Sequence, residues 1–348
     1  MNNALLPLYR GAIEQGLAKT LPSLTIETTN ICNANCTFCG YQFQERPTGA
    51  MSMTLYQKVI DEFVQCGGKF VLVSGTVGDP LVDKLLLERI SYARERGVPE
   101  VGMFSNLISL RRHGAAELVQ SGLAKLVVSI SGLDAAMYER VYRSTQYSKV
   151  LANLHSIIDA NEAAGSPIDI RLAMRADRPL REVRAYPDLI EIERRLGPGR
   201  IDYNYYFDDW SGRIKQRDLT GTMKIRPGWL RPKLSPCVEL FSGLMIYWDG
   251  KVGACGCRDL EAKELIVGDV TRNHLAEIWF GEPLRRLREE FMTPARKEIC
   301  STCKHYNGLT MYLAPAARKK WQDPLDSRAL WQESAGTERG PRRRLPLA

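Results

Sequence analysis

The sequence predicts an α/β fold of parallel strands, followed by a small region held together by bound metal. Six short β-branched runs alternate with helix-period stretches between residues 24 and 207. After residue 208 the alternation gives way to a stretch rich in Gly, Pro and charge. Eight of the nine cysteines fall in two groups, one just after the first run and one beyond that stretch.

The opening MNNALLPLYRGAIEQGLAK reads as an amphipathic lead-in helix over residues 1–20. It lacks the basic region, long apolar core and small-residue cleavage site of a signal peptide. The expected strands are LTIETT (24–29), KFVLVSG (69–75), EVGMFS (100–105), KLVVSI (125–130), DIRLAMR (169–175) and RIDYNYYF (200–207). Between them, MTLYQKVIDEFVQCG, LLLERISYARERG and HGAAELVQSG carry apolar residues at helical spacing and close on Gly, a frequent helix terminator. Such alternation calls for right-handed βαβ units, in an open or closed barrel or a doubly wound sheet. In each of these, ligands gather at the C-terminal ends of the strands.

The core is expected over residues 21–210, a linker over 211–236, a small domain over 237–315 and a basic, flexible tail over 316–348. In the small domain, GLMIYWDGKVGAC reads as a hairpin turning at Asp249–Gly250, a strong turn signal. NHLAEIWFGEPLRRLREEFM reads as one or two amphipathic helices. A core this small gains from bound metal.

Apolar residues at 44% and charged residues at 25% are ordinary for a soluble globular protein. No apolar run has membrane-spanning length, and a cytoplasmic location is expected. The net charge of +8 owes much to the tail ERGPRRRLPLA, with four arginines against one glutamate. A solvated tail explains that charge better than a nucleic-acid site, and basic residues are not interleaved with stacking aromatics.

In CNANCTFC, residues 32–39, three cysteines follow the first strand directly: Cys32, Cys36 and Cys39. A zinc site needs a fourth ligand, yet none of the histidines at 113, 155, 274 and 305 lies near this loop in sequence. A disulfide fits neither the odd count nor the compartment. An iron–sulfur cube with three thiolates keeps one iron open.

This CxxxCxxC, placed after strand one and carrying Phe38 before its last cysteine, resembles the radical S-adenosylmethionine (radical SAM) superfamily. The resemblance implies a partial (β/α)6 TIM-type barrel, with the amino and carboxylate groups of S-adenosylmethionine chelating the open iron. It also implies reductive cleavage to a 5′-deoxyadenosyl radical, driven by an external low-potential donor such as flavodoxin or ferredoxin. Gly78-Asp79-Pro80 resembles the family's Gly-Glu-Pro segment, with Asp in place of Glu. Ser105 and Asn106 stand where the family often has Thr-Asn-Gly. By the same resemblance, Ser129 and Ser131 reach the ribose or carboxylate of the cofactor, and Arg143 pairs with the carboxylate.

Cys66 stands alone and reads as a small buried hydrophobe. The downstream cysteines are Cys237, Cys255, Cys257, Cys300 and Cys303. Zinc is the structural alternative for such a set. The segment resembles the shortened SPASM, or twitch, domain, and its spacing is similar to that of the 2-deoxy-scyllo-inosamine dehydrogenases. That resemblance makes Cys237, Cys255, Cys300 and Cys303 the ligands of a second, fully coordinated [4Fe–4S] cluster. Cys257 is left over, as a spare thiol, an alternative ligand or a hydrogen-atom donor.

Two reactions fit these parts. In one, a hydrogen atom leaves the carbinol carbon of a sugar or aminocyclitol of a secondary-metabolite or glycan pathway, a base takes the hydroxyl proton, and a ketone forms. In the other, Cys257 returns hydrogen from the opposite face and inverts the centre. Arg171 and Arg175 alternate along DIRLAMR toward one side, and YNYYFDDW supplies Tyr203, Tyr205, Asp208, Asp209 and Trp210 at the rim. Arg171 or Arg175, with Arg175 preferred, is expected to orient the substrate or assist its deprotonation. Asp208 or Asp209, with Asp208 preferred, is expected to accept the hydroxyl proton. Peptide maturation is a third reading, set back by the short segment ahead of the cysteines. A zinc protein that binds nucleic acid is the non-enzymatic one.

Overall fold

The computed structural model describes residues 21–309 except 231, 232, 234, 257, 294 and 295. The expected lead-in helix, the basic tail and Cys257 therefore lie outside the described residues.

Six parallel strands in sequence order form the frame: β1 (Ser23–Ile26), β2 (Phe70–Val73), β3 (Glu100–Ser105), β4 (Lys125–Ile130), β5 (Asp169–Arg175) and β6 (Ile201–Asn204). Between them run α1 (Met53–Gln65), α2 (Leu86–Glu95), α3 (Ala115–Gln120), α4 (Ala135–Tyr142), α5 (Tyr147–Ala163) and α6 (Pro187–Leu196). This is the alternation of parallel strands and helices that the sequence predicted.

Local chemistry explains the elements. The Ser52 hydroxyl accepts the Leu55 N–H at 3.1 Å and starts α1. Tyr56, Val59, Ile60 and Phe63 then recur at helical spacing and are fully buried, each contributing about 1.5–3 kcal/mol. Gly67, at φ +72°, follows the end of α1. Along the sheet, one face supplies Ile26, Val73, Met103, Leu126, Leu172 and Met174, all buried in the main core with the helices. The opposite face carries Phe104, Val127, Ser129, Arg171, Ala173 and Arg175, since successive side chains alternate.

Beyond β6 the chain departs from one continuous expected strand. RIDYNYYF breaks at Tyr205, and β7 (Tyr206–Phe207) pairs in parallel with β8 (Lys224–Ile225) as a separate ribbon. The expected hairpin is present as β9 (Gly243–Ile246) and β10 (Lys251–Gly253), turning at Gly250 with φ +93°. A further strand, β11 (Ile266–Asp269), pairs with β10. This unit joins the main sheet: β9 pairs in parallel with β1, Ser23 opposite Gly243 through Ile26 opposite Ile246. The nine-stranded order is β11-β10-β9-β1-β2-β3-β4-β5-β6.

Two helices follow, α7 (Leu275–Trp279) and α8 (Glu282–Phe291), separated by Phe280–Gly281. The short α9 (Glu298–Thr302) carries Cys300. Among the described residues no helix is long and apolar enough to cross a membrane.

Candidate active site

The three-cysteine loop leaves β1 and crosses the C-terminal end of the sheet. Thr37 N–H donates to the Val141 carbonyl at 2.9 Å, tying the loop to α4, and Cys39 N–H donates to the Cys36 carbonyl at 3.1 Å. Burial, and then the neighbouring Cys39 and Cys32, hold the Cys36 thiol well above its ordinary pKa. Burial and then Asp79 push Cys32 up to about 12. The three sulfurs therefore sit close enough to repel one another as thiolates. Donors that point at them include the Tyr41 N–H at 3.4 Å from Cys39 Sγ and Asn106 Nδ2 at 3.8 Å from Cys32 Sγ.

The loop after β2 packs directly on this one. Gly78 has φ +106°, and a Cβ there would lie 2.6 Å from the Thr29 carbonyl oxygen. Both the backbone angle and the close approach require glycine. Asp79 is 3% exposed, and its carboxylate accepts from Leu81 N–H at 3.0 Å, Asn106 N–H at 2.7 Å and Ser105 Oγ at 3.0 Å. It caps the turn that Pro80 begins and joins the strand-two and strand-three loops. Burial lifts its pKa to about 6, against the pull of those donors. Asp79 and Ser105 thus spend their polar groups on each other, while Asn106 reaches both Cys32 and, at 2.8 Å, Asn33 Oδ1.

Ser129 Oγ lies 2.9 Å from the Tyr142 hydroxyl on the helix-free face of β4. Ser131 is fully buried, its hydroxyl donating to the Gly132 carbonyl at 3.2 Å. Arg143 ends α4 in the left-handed region, φ 50°, and donates to Gln42 Oε1 at 3.0 Å. With Cys32, Gln42, Glu139 and Thr145 it lines an open cleft of about 910 Å³ beside the cysteine loop.

Phe38 is enclosed by Tyr142 and Phe207, with ring centroids 5.6 and 5.2 Å away, and Arg175 Cζ stands 5.5 Å over its ring. Arg175 Nε is buried without a hydrogen-bond partner. Asp208, expected as a base, instead pairs with Arg258 at 2.9 Å and accepts the Trp210 N–H at 2.7 Å. Asp209 pairs with Lys304 at 2.7 Å. Thr76 Oγ1 donates to the Gly256 carbonyl at 2.7 Å. These contacts bind the rim to the C-terminal region, and residue types alone did not announce them.

In that region, Cys237 bridges Gly308 in antiparallel fashion, with Val238 N–H on the Asn307 carbonyl at 2.8 Å. This brings Cys237 near Cys303; burial, then Glu239 and Cys303, hold its thiol well above the ordinary pKa. Burial and then Cys303 push Cys300 up to about 12. His305 N–H lies 3.3 Å from Cys303 Sγ. Cys255 follows β10 and interacts with Tyr247.

A model of the radical SAM superfamily matches residues 26–162, and one of the SPASM iron–sulfur cluster-binding domain matches residues 237–304, together more than half of the chain. The chain carries a radical SAM domain and a SPASM domain. It is similar to a GTP 3′,8-cyclase of Vibrio cholerae serotype O1, 28% identical over 136 residues, covering 38% of this chain and 40% of that one. It is also similar to a PqqA peptide cyclase of Rhodopseudomonas palustris, 26% identical over 195 residues, 54% of this chain and 48% of that one. The chain thus spans less than half the length of these relatives.

Among solved structures, BtrN in complex with AdoMet and 2-DOIA superposes with TM-score 0.51 at 15% identity, covering 82% of this chain and 93% of BtrN. Streptococcus suis SuiB bound to precursor peptide SuiA gives 0.56 at 13%, covering 82% and 70%. The anSMEcpe structure with bound AdoMet and Cp18Cys peptide gives 0.52 at 12%, covering 90% and 99%. At such identities the likeness establishes the fold.

A radical SAM domain joined to a SPASM domain implies S-adenosylmethionine and two [4Fe–4S] clusters. The thiols fit that requirement. Each thiolate of a cube binds its own iron, so the sulfurs ring a volume rather than converge on a point. Among the described residues no three His, Cys, Asp or Glu side chains converge on a single-ion site. Two thiol groups, each with an N–H aimed at a sulfur, are what such a cube asks of its protein.

Proposed function

We propose that this radical SAM enzyme oxidises a carbinol of a hydroxylated small molecule, of the sugar or aminocyclitol kind, to a ketone. The observation that carries the reading is the polar wall at the ends of β4, β5 and β6. Ser129, Arg175 and Asn204 share the helix-free face there, below the Phe38 loop. A hydroxyl, a guanidinium and an amide in a half-buried wall suit a ligand dense in hydroxyl groups.

In this reading Cys32, Cys36 and Cys39 hold the open cluster, and Cys237, Cys255, Cys300 and Cys303 the closed one. When bound, the cofactors supply a 5′-deoxyadenosyl radical to remove hydrogen and a cluster to take up an electron. The chain's residues do the rest. The Tyr41 and His305 N–H groups stabilise thiolate charge on their sulfurs. The Asp79 carboxylate fixes the Gly78 backbone beside the cysteine loop, and Gly78-Asp79-Pro80 presents carbonyls to the cofactor's amino group. Arg175, packed on Phe38, orients the substrate, and Ser129 offers it a hydroxyl.

The test is anaerobic reconstitution, reduction with dithionite or reduced flavodoxin, and incubation with S-adenosylmethionine and a panel of aminocyclitols and sugars. About eight irons per chain are expected, with 5′-deoxyadenosine and a product that has lost the elements of dihydrogen. An epimer of unchanged mass, or a product only from peptides, overturns the reading.

A further inference from the structure

The inference rests on the oxidation reading and concerns the group that takes the hydroxyl proton. Register places Ser129, Ala173 and Asp202 in one row across β4, β5 and β6, on the face turned away from the helices. Ala173 in the middle carries only a methyl group. The row is therefore a notch with a hydroxyl at one side and a carboxylate at the other. Arg175 and Arg171 stand two residues to either side of Ala173 on the same face, and both act electrostatically on Asp202.

Several other acids near this mouth are committed, and Glu139, which lines the open cleft, is exposed on α4 and lies outside this row. Asp208 pairs with Arg258, Asp209 with Lys304, Glu27 with Arg46, and Asp79 holds three donors. Toward the opposite end of the sheet, Asp169 pairs with Arg171 and Arg200, and Glu100 with Lys125. Asp202 is half-buried, and its carboxylate makes no hydrogen bond or ion pair among the described residues. Its backbone carbonyl accepts from Asn204 Nδ2 at 3.3 Å.

We propose that Asp202 is the proton acceptor of the oxidation, receiving the hydroxyl proton of a carbinol seated over Ala173. The balance closes. Conversion of the carbinol to a ketone removes one hydrogen atom from carbon, one proton from oxygen and one electron. The hydrogen atom goes to the 5′-deoxyadenosyl group, the proton to the Asp202 carboxylate and the electron to the auxiliary cluster, while the C–O bond becomes C=O. Burial lifts the Asp202 pKa to about 6, with Arg171 and Arg175 opposing the rise. At neutral pH the group is ionised yet basic enough to take a proton. Arg175, on the C-terminal side of Ala173, holds the oxygen and its developing charge.

The test uses reconstituted holoenzyme with Asp202→Asn and Asp202→Glu variants. The probes are 2-deoxy-scyllo-inosamine, myo-inositol and UDP-N-acetylglucosamine, deuterated at the carbinol carbon. For Asp202→Asn, ketone formation falls at least about 100-fold, while deuterium still passes into 5′-deoxyadenosine. The Glu variant recovers part of the ketone rate. In the parent, kcat/KM for ketone rises with pH to a plateau above about 6, and the Asn variant loses that limb. Ketone from Asp202→Asn at the parental rate and pH profile removes Asp202 from the mechanism and leaves the oxidation reading standing. Loss of deuterium transfer along with ketone assigns Asp202 to substrate binding and overturns its role as acceptor. A parent enzyme that makes no ketone from any probe overturns the oxidation reading, and this inference with it.

Discussion

The indole N–H of Trp210 donates to the carbonyl of Phe38 across 3.0 Å, joining the segment after β6 to the middle of the cysteine loop. The same ring covers Gly40, where a Cβ would lie 2.5 Å from its carbons, and the Arg258 guanidinium stacks on it at 4.6 Å. One side chain thus links the cysteine loop to the region that carries the second set of thiols.

Trp210→Ala is therefore expected to cost about 3–5 kcal/mol of stability and to speed the loss of iron. Trp210→Phe keeps most of the packing and gives up one hydrogen bond, about 1 kcal/mol. Urea unfolding and iron-to-protein ratios after desalting check both. Equal behaviour of the two variants would show that ring packing is not what holds the loop.

Glu27 is fully buried where β1 ends, and Arg46 forms a two-pronged ion pair with it while lying 5.0 Å over the Tyr247 ring. Arg46→Met strands a carboxylate in the interior and is expected to destabilise the chain by about 3–5 kcal/mol. Adding Glu27→Gln recovers most of that loss, because the cost lies in the unpaired charge. Stability of the two variants, measured side by side, decides whether the pair or its arginine alone matters.

On the proposed assignment, the two thiol groups divide the iron between them. Cys36→Ala is expected to lower iron from about eight to about four per chain and to abolish S-adenosylmethionine cleavage. Cys300→Ala lowers iron similarly but leaves cleavage to 5′-deoxyadenosine in place. Because Cys32 and Cys300 are both held near a pKa of about 12, loading must displace protons. Cluster assembly accordingly quickens as pH rises, which the growth of absorbance during reconstitution reports.

Asp79 gives a pH signature of definite sign. Its folded-state pKa of about 6 exceeds the ordinary 3.8, so between those values the native chain binds more protons than the unfolded one. Its contribution to stability is full below the lower value and is lost as pH rises through the upper one, a change of about 3 kcal/mol. Relative to the parent, Asp79→Asn should gain about that much between about pH 4 and about pH 7. A difference in unfolding free energy that stays constant with pH would show that Asp79 does not titrate on folding.

Much of the frame was legible because its signals are local. EVGMFS, KLVVSI and DIRLAMR are strands at the expected residues, 100–105, 125–130 and 169–175, since β-branched runs bounded by turn residues have few other options. The CxxxCxxC grouping was visible for the same reason: its three cysteines lie within eight residues. Asp202 escaped notice within RIDYN, a strand intermediate in burial at every position. Its parity with the arginines of DIRLAMR was the available signal, but that parity becomes a location only once β5–β6 register is known.

The sequence by itself thus determined the strand–helix alternation and the two thiol groups, through hydrophobic period and ligand spacing. Tertiary structure alone decided which acid is available. Asp208 looks as suitable as Asp202 until Arg258, far along the chain, closes on it. Tertiary structure also ran β9 along β1, making the C-terminal hairpin a continuation of the barrel sheet. Ion pairing and strand register join residues that sequence separates widely, and neither leaves a periodic trace in the segments it joins.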